Sequence, residues 1–274
     1  MLRPRQWIKN TFVLAPLLFA GLFSQRDSVS RALLAFALFC VASSATYIVN
    51  DWRDIERDRR HPTKRYARPM AEGSVSKSMA LALLLTLYGI LLAGIWVLPK
   101  VISVIGAYMA LNLAYSFGLK DQPVLDIFIV ASGFVLRVVA GAMALEVPVS
   151  SWMFVTTLCL ALFLASVKRR QELARGGTES REVLSKYSLA LVDRYAEMAG
   201  TGALVFYSLF VMSSHTELIV TIPLVLFGIF RYWYVVEQKG AGESPTDALL
   251  TDWQLMLTGV AWVAICAWRL TVAT

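Results

Sequence analysis

The chain has 274 residues, of which 57% are hydrophobic and only 16% are charged, and its formal net charge is +7. Its mean hydropathy of +0.60 is well above that of a soluble domain of this length. This composition excludes a water-soluble enzyme and disfavours nucleic acid as a partner, because no soluble basic domain is available to bind a duplex. We predict a membrane protein.

Apolar stretches of about 20 residues, long enough to cross a bilayer as a helix, recur along nearly the whole sequence. We predict nine: 8–24, 31–50, 78–98, 100–118, 124–146, 150–168, 195–214, 217–237 and 254–272. The alternating segments of about ten residues that are typical of a membrane β-barrel are not seen. The sequence thus predicts an all-α, polytopic membrane protein, with residues 1–274 forming a single transmembrane domain.

The basic residues predict how the chain is oriented. If the N-terminus is cytoplasmic, twenty of the 26 Lys and Arg residues fall on the cytoplasmic side or next to it. Four then fall on the opposite side: Arg26, Arg31, Lys100 and Arg269. The positive-inside rule favours this orientation. Such a face predicts contact with anionic lipid headgroups, an anionic substrate, or both.

The first predicted helix, 8–24, lacks a small-residue cleavage site, so we interpret it as a retained helix and not as a signal peptide. Lys9 stands at its cytoplasmic start. This side chain either binds the phosphate of a lipid substrate or extends to the headgroups, and the sequence leaves both open.

The segment after the second predicted helix, VNDWRDIERDRRHPTKRYARP, concentrates charge of both signs. If the helix continues, about 100° of one face carries four polar residues: Asn50, Asp51, Asp54 and Asp58. Glu56 points elsewhere. Crowded carboxylates repel one another unless a cation lies between them, and Mg²⁺ prefers such oxygen ligands. We therefore predict Mg²⁺ bound by the three aspartates and shared with a diphosphate.

Basic side chains near this acidic face are expected to contact phosphate oxygens: Arg57, Lys64, Arg65 and Arg68. A polar stripe with spacings of three and four residues leads to the acids from within the membrane: Ser43, Thr46, Tyr47 and Asn50. Polar stripes inside a bilayer more often line a cavity than face lipid. Tyr47 and Asn50 are therefore candidate substrate contacts.

Polar residues also interrupt the fourth and fifth predicted helices. Arg137 lies near the middle of the fifth, where a charge is costly and is expected to face the bundle interior. It either contacts a substrate phosphate or forms a structural pair, in which case we expect the acid on another helix. Asp126 lies about 20° from Arg137 in helical projection. A second short polar stripe either lines a cavity or joins helices, and it ends near Lys120, a further candidate substrate contact. Its members are Asn112, Tyr115 and Ser116.

A second charged segment follows the sixth predicted helix. Its candidate substrate contacts are Lys168, Arg169, Arg170, Glu172, Tyr187 and Asp193. Bases outnumber acids here, which favours a substrate with an additional phosphate. For any single base, the positive-inside topology is an alternative explanation.

The NDWRD segment with Asp58 resembles the NDxxDxxxD signature of the UbiA superfamily of intramembrane prenyltransferases. The resemblance implies nine helices around a central cavity, with Mg²⁺ and a diphosphate at its mouth. The segments RPRQWIKN, YSFGLKD, GFVLRVVAGA and KRRQEL are similar to the decaprenyl-phosphate phosphoribosyltransferase branch. Asp193 and Glu197 form DxxxE where most of the superfamily has a second DxxxD, so a second metal site is left open.

This branch implies transfer of 5-phosphoribose from phosphoribosyl diphosphate to a polyprenyl phosphate such as decaprenyl phosphate, with Mg²⁺ as cofactor. It also implies an arabinan precursor for cell wall biosynthesis, and a bacterial inner membrane with the N-terminus and active site facing the cytoplasm. One alternative is transfer of a prenyl group from its diphosphate to an aromatic acceptor such as 4-hydroxybenzoate; another is a transporter. Whether the chain forms a homo-oligomer is left open.

Overall fold

The computed structural model describes residues 1–60, 64–174, 182–238, 248–249 and 251–273, and the regular structure in these ranges is entirely helical. In chain order the α-helices are α1 Ala15–Phe19, α2 Arg26–Arg53, α3 Ile55–Arg60, α4 Lys64–Ala67, α5 Pro69–Glu72, α6 Lys77–Gly94, α7 Pro99–Ser116, α8 Leu125–Leu145, α9 Ser151–Ala174, α10 Leu189–Ser214, α11 Ile222–Gln238 and α12 Trp253–Ala273. Short 3₁₀ helices cover Pro4–Leu14, Leu22–Ser24, Leu119–Asp121, Glu182–Lys186 and Thr216–Thr221. The predicted all-α fold is confirmed.

Seven helical segments within the described ranges are long and apolar enough to cross a membrane: Arg26–Arg53, Lys77–Gly94, Leu125–Leu145, Ser151–Ala174, Leu189–Ser214, Thr216–Gln238 and Trp253–Val272. The predicted count of nine is therefore not confirmed. The stretch 8–24 is not one long α-helix but a 3₁₀ helix followed by the short α1. Helix α7 does form, but it lies outside this set of seven.

One apolar core packs α2, α7 and α8 against one another. Phe39 of α2 and Tyr108 of α7 are buried, with ring centroids 4.9 Å apart. Ala140 of α8 belongs to the same apolar cluster. Because burial of this apolar surface stabilises one arrangement of α2, α7 and α8, the polar residues at their ends are held in a defined geometry.

The N-terminal segment packs directly on the backbone of α8. A Cβ atom added at Gly141 would collide with the carbonyl oxygen of Val13, a residue that is fully buried. Small residues permit such close backbone approach between membrane helices. This contact fixes the residues around Lys9 and Asn10 against the part of α8 that carries Arg137.

We expect Gly141→Ala to lower the melting temperature in detergent, because the added methyl forces the N-terminal segment away from α8 at a cost of about 1–3 kcal/mol. Gly106→Ala is the matched control: it lies in α7 with nothing within 4 Å of an added Cβ. Helix propensity predicts that this control stabilises the protein by about 0.5–1 kcal/mol or leaves it unchanged. Equal melting temperatures for the two variants would refute the close packing.

Candidate active site

The three predicted metal-binding aspartates lie where α2 passes into α3. Helix α2 ends at Arg53, and Asp54 is its C-terminal cap. The chain nevertheless keeps a helical path, because Asp54 N–H donates to the Asn50 carbonyl at 3.0 Å and Asp58 N–H donates to the Asp54 carbonyl at 2.8 Å. Asp51 and Asp58 are buried, and Asp54 is partly exposed. The acidic face predicted from the spacing thus survives a small break in the helix.

Two arginines bind the carboxylate of Asp51. Arg68 Nη1 lies 2.8 Å from Asp51 Oδ1, and Arg3 forms a second ion pair with the same oxygen. The Arg3 guanidinium also lies over the Tyr47 ring, 4.6 Å from its centroid. Arg68 and Tyr47 were predicted site residues, whereas Arg3 was not, because no local pattern links it to an acid 48 positions away.

Lys120 joins the acidic segment from the turn after α7. Its Nζ lies 3.9 Å from Asp54 Oδ1, and the exposed Arg57 is 4.0 Å from the other oxygen of that carboxylate. Burial lowers the pKa of the Lys120 ammonium, and the Asp54 carboxylate opposes that shift. Ser116 donates to Asn50 Oδ1 at 2.5 Å, so α7 is hydrogen-bonded to the same helix end.

The donor chemistry of this segment fits a hard divalent cation. Asp51, Asp54 and Asp58 supply carboxylate oxygens, the ligands that Mg²⁺ prefers. Within the described ranges, no three His, Cys, Asp or Glu side chains lie close enough together to hold a metal ion as a group. Mg²⁺ does not require such a cage, since it is commonly bound through one or two carboxylates, several waters and substrate phosphates.

Arg137 lies inside the bundle among neutral groups. Its Nε donates to Asn10 Oδ1 at 2.8 Å, its Nη1 to the Gly133 carbonyl at 2.8 Å, and its Nη2 to Tyr108 Oη at 3.3 Å. The side chain is buried, with the Phe134 ring centroid 5.5 Å from its Cζ. In the described part of the chain it has no carboxylate within ion-pair distance, so the alternative of a structural pair with an acid is not supported.

Asp126, which lies on the same helix as Arg137, binds Arg169 of α9. Both residues are almost completely buried, and Arg169 Nε lies 2.5 Å from Asp126 Oδ2. Arg169 also pairs with Glu172 and donates to Tyr115 Oη at 3.0 Å. Tyr187 donates its hydroxyl proton to Asp126 Oδ1 at 2.7 Å. Five residues from four parts of the chain therefore form one network, and burial raises the pKa of the Tyr187 phenol within it.

The other predicted residues of the second charged segment lie around this network. Arg170 Nε is 2.6 Å from Asp193 Oδ1, and its Nη2 is 3.2 Å from Glu237 Oε1. Lys168 Nζ is 3.8 Å from Glu172 Oε1. Asp193, the first acid of the DxxxE pattern, is thus paired with an arginine.

Three predicted contacts remain: Arg65, Lys9 and Lys64. Arg65 is exposed and lies over the Tyr66 ring at 4.5 Å. Lys9 is half-buried in the N-terminal 3₁₀ helix, next to the buried Asn10. The side chain of Lys64 lies outside what the structure describes.

An apolar cavity of about 260 Å³ lies beside Phe12. Its walls include Phe12, Phe19, Tyr207 and Trp262. Phe12 lies edge-on to Phe134, with ring centroids 5.1 Å apart, and Phe134 in turn contacts the Arg137 guanidinium. One aromatic pair therefore links a wall of the cavity to the buried guanidinium of Arg137.

Comparison with known proteins identifies the family. Residues 13–251 match the UbiA prenyltransferase family. The chain is 38% identical to decaprenyl-phosphate phosphoribosyltransferase of Corynebacterium glutamicum over an alignment 279 positions long, which covers 96% of this chain and 83% of the relative. It is also 38% identical to the Mycobacterium tuberculosis enzyme of that name, covering 96% and 90%. The chain belongs to the UbiA prenyltransferase family, as its motif predicted.

Solved structures confirm the fold. A UbiA homologue from Archaeoglobus fulgidus, bound to GPP and Mg²⁺, superposes with a TM-score of 0.74, covering 99% of this chain and 98% of the homologue. The two sequences are 16% identical, so this likeness establishes the architecture alone. Together with the seven spanning segments, it defines a polytopic UbiA-type membrane protein.

Proposed function

We propose that this protein is a single-domain transferase that moves 5-phosphoribose from phosphoribosyl diphosphate to a polyprenyl phosphate and releases diphosphate, with Mg²⁺ as cofactor. The observation that carries this proposal is the helix end at Asp51 and Asp54, where carboxylates and strongly basic side chains meet. Relatives at 38% identity over nearly the whole chain carry the name of this activity.

The acidic segment and its bases would bind the donor diphosphate. Asp51, Asp54 and Asp58 are the proposed ligands of Mg²⁺, which when bound would neutralise charge on the departing diphosphate. A guanidinium group binds phosphate oxygens as readily as it binds carboxylate oxygens. Arg68 can therefore bind either Asp51 or the diphosphate. We assign further diphosphate contacts to Asn50, Arg57, Lys64, Arg65 and Lys120, and a lining role to Tyr47.

The ribose 5-phosphate requires a second basic site. We assign it to Lys168 and Arg170, with Glu172 and Asp193 as the counter-ions that orient them. Their side chains keep 31% and 19% of their surface exposed. Both can therefore reach a ligand without unfolding the helix.

The acceptor phosphate would meet Arg137, with Lys9 as a second contact. A buried cation surrounded by neutral groups is a favourable site for a desolvated anion. The cavity beside Phe12 is large enough for the part of the polyprenyl chain nearest the phosphate, with the remainder in the bilayer. An acceptor phosphate oxygen forms the new bond to ribose C1 as the bond from C1 to diphosphate breaks. Because that oxygen is already ionised at neutral pH, no strong general base is needed.

The distribution of basic residues supports an orientation. With the N-terminus in the cytoplasm, the aspartate segment and both basic sites face the compartment that supplies phosphoribosyl diphosphate. We therefore propose the bacterial inner membrane, with the active site facing inward.

The purified protein, given Mg²⁺ and labelled phosphoribosyl diphosphate, is expected to label decaprenyl phosphate with ribose phosphate. A parallel incubation with a prenyl diphosphate and 4-hydroxybenzoate tests the alternative transferase. Product in the second reaction alone would overturn the proposal. Substrate flux into proteoliposomes without any chemical product would indicate a transporter.

A further inference from the structure

The turn that carries Lys120 has an unfavourable backbone. It runs from Gly118, with φ of 150°, to Val124, with φ of 69° and ψ of −47°. A positive φ is a genuine outlier for a β-branched residue, because its Cβ collides with the neighbouring backbone. Such a conformation persists only where the surrounding structure holds it.

Tyr187 holds this turn from a distant part of the chain. The N–H of Val124 donates to Tyr187 Oη at 2.6 Å, and the same hydroxyl donates to Asp126 Oδ1 at 2.7 Å. The other oxygen of Asp126 is bound by Arg169 at 2.5 Å. One buried phenol thus connects the strained backbone to a buried ion pair.

The segment that carries Tyr187 is itself firmly packed. Val183 and Leu184 are fully buried against Ile127, and the Lys186 ammonium lies 3.5 Å from the Asp121 carbonyl. This segment, which follows α9, therefore covers the turn between α7 and α8. It contacts the turn that carries Lys120 through the Lys186–Asp121 and Tyr187–Val124 hydrogen bonds.

Arg169 is poorly placed to bind a substrate. Its side chain is 2% exposed, and its donor nitrogens are directed at Asp126, Glu172 and Tyr115. A phosphate would have to compete with two carboxylates for Arg169, whereas the donors of Arg137 face neutral groups. Arg169 and Tyr187 were predicted as substrate contacts, and their buried partners favour a different role.

We infer that Tyr187, Asp126 and Arg169 are positioning residues: they stabilise the strained turn at Val124 and so hold the Lys120 ammonium beside Asp54. This inference rests on the proposed function, which gives Lys120 a role in binding the donor diphosphate. Tyr187 acts through Lys120 and does not itself contact the substrate.

Tyr187→Phe removes the hydroxyl that joins Val124 to Asp126 and changes little else. We expect kcat/KM for phosphoribosyl diphosphate to fall by about 10- to 100-fold, the loss typical of a misplaced charged hydrogen-bond donor. In a protein that already carries Lys120→Ala, adding Tyr187→Phe should lower kcat/KM by less than about a further threefold. The two effects are not additive because Tyr187 acts through Lys120. Full additivity in this double-mutant cycle would overturn the inference.

Tyr232→Phe is the matched control. Tyr232 is also a buried phenol, and its hydroxyl has no hydrogen-bond partner in the described part of the chain. Loss of the Tyr232 hydroxyl should leave kcat/KM within about twofold of the wild-type value. A loss equal to that of Tyr187→Phe would show that any buried phenol matters and would also overturn the inference.

A rescue variant tests the strain directly. Glycine adopts a positive φ without a Cβ penalty, and Val124 is 40% exposed, so its side chain contributes little packing. Adding Val124→Gly to Tyr187→Phe should therefore raise kcat/KM at least about threefold above that of Tyr187→Phe alone. If the double variant is no better than Tyr187→Phe alone, the strained turn is not what Tyr187 supports.

Chemical labelling separates this inference from the proposed function. Lys120 is 9% exposed, so acetic anhydride should modify it slowly in the wild type. In Tyr187→Phe its labelling, followed by mass spectrometry, should rise several-fold relative to the exposed Lys77. Unchanged labelling of Lys120 in Tyr187→Phe would refute the positioning role, whether or not the wild type transfers phosphoribose. If the wild type shows no transfer but labelling rises in Tyr187→Phe, only the proposed function is refuted.

Discussion

Asp54→Asn should reduce phosphoribosyl transfer by about 100- to 1,000-fold, the loss expected when one electrostatic stabiliser of a developing anion is removed. The substitution keeps the size and polarity of the side chain but removes the charge that faces Lys120 at 3.9 Å. Chelation of divalent cations should stop turnover in the wild type, and added Mg²⁺ should restore it. Initial rates with labelled phosphoribosyl diphosphate measure both effects.

Glu56→Gln is the matched control for this change. Glu56 lies two positions away, but its side chain is 78% exposed and pairs with Arg59 on the surface. Exposed ion pairs of this kind contribute about 0–1 kcal/mol, so neither activity nor folding should change measurably. Comparable losses in the two variants would argue for a general charge effect, and full activity of Asp54→Asn would refute the metal role.

Arg137→Met should lower kcat/KM for the polyprenyl phosphate by about 30- to 1,000-fold, because truncating the cation of a buried charge pair costs about 2–4 kcal/mol. The melting temperature should stay within about 5 °C of the wild type. Removing a buried charge relieves its desolvation cost, and this gain offsets the three lost hydrogen bonds, which go to Asn10, the Gly133 carbonyl and Tyr108.

The combination of these two measurements identifies the role of Arg137. A substrate contact gives a large loss of activity at nearly constant stability, and Arg137→Lys should recover part of the activity by restoring the charge. A purely structural residue would instead lower the melting temperature by more than about 10 °C. In that case the variant would regain normal activity when assayed in the cold, and the phosphate assignment would be wrong.

The acidic segment was predictable because its chemistry is local. Asn50, Asp51, Asp54 and Asp58 fall on one face through helical periodicity alone, and the structure keeps that periodicity across the break at Asp54. The polar stripe was predictable for the same reason, since Ser43 and Thr46 are buried inside the bundle as their spacing indicated.

The partners of these residues were less accessible to sequence reasoning. The position of Asp126 in helical projection did not show that it binds Arg169, 43 positions away. Projection along one helix cannot predict such a pair, because the choice between two arginines depends on how α8 packs against α9. Arg3 was missed for a similar reason, since the N-terminal segment reaches Asp51 only after packing on α2 and α8.

Hydropathy, charge distribution and a single helical motif were sufficient to predict an all-helical membrane protein, its family and the location of its acidic site, because each is determined by residues close together in the chain. The tertiary structure alone decided which charges meet. Inside a bundle, a buried ion must find its partner on whichever helix packs against it, and that packing is set by the apolar surfaces of all the helices together. It thereby assigned Arg137 to neutral neighbours, Arg169 to a closed network, and Lys120 to Asp54.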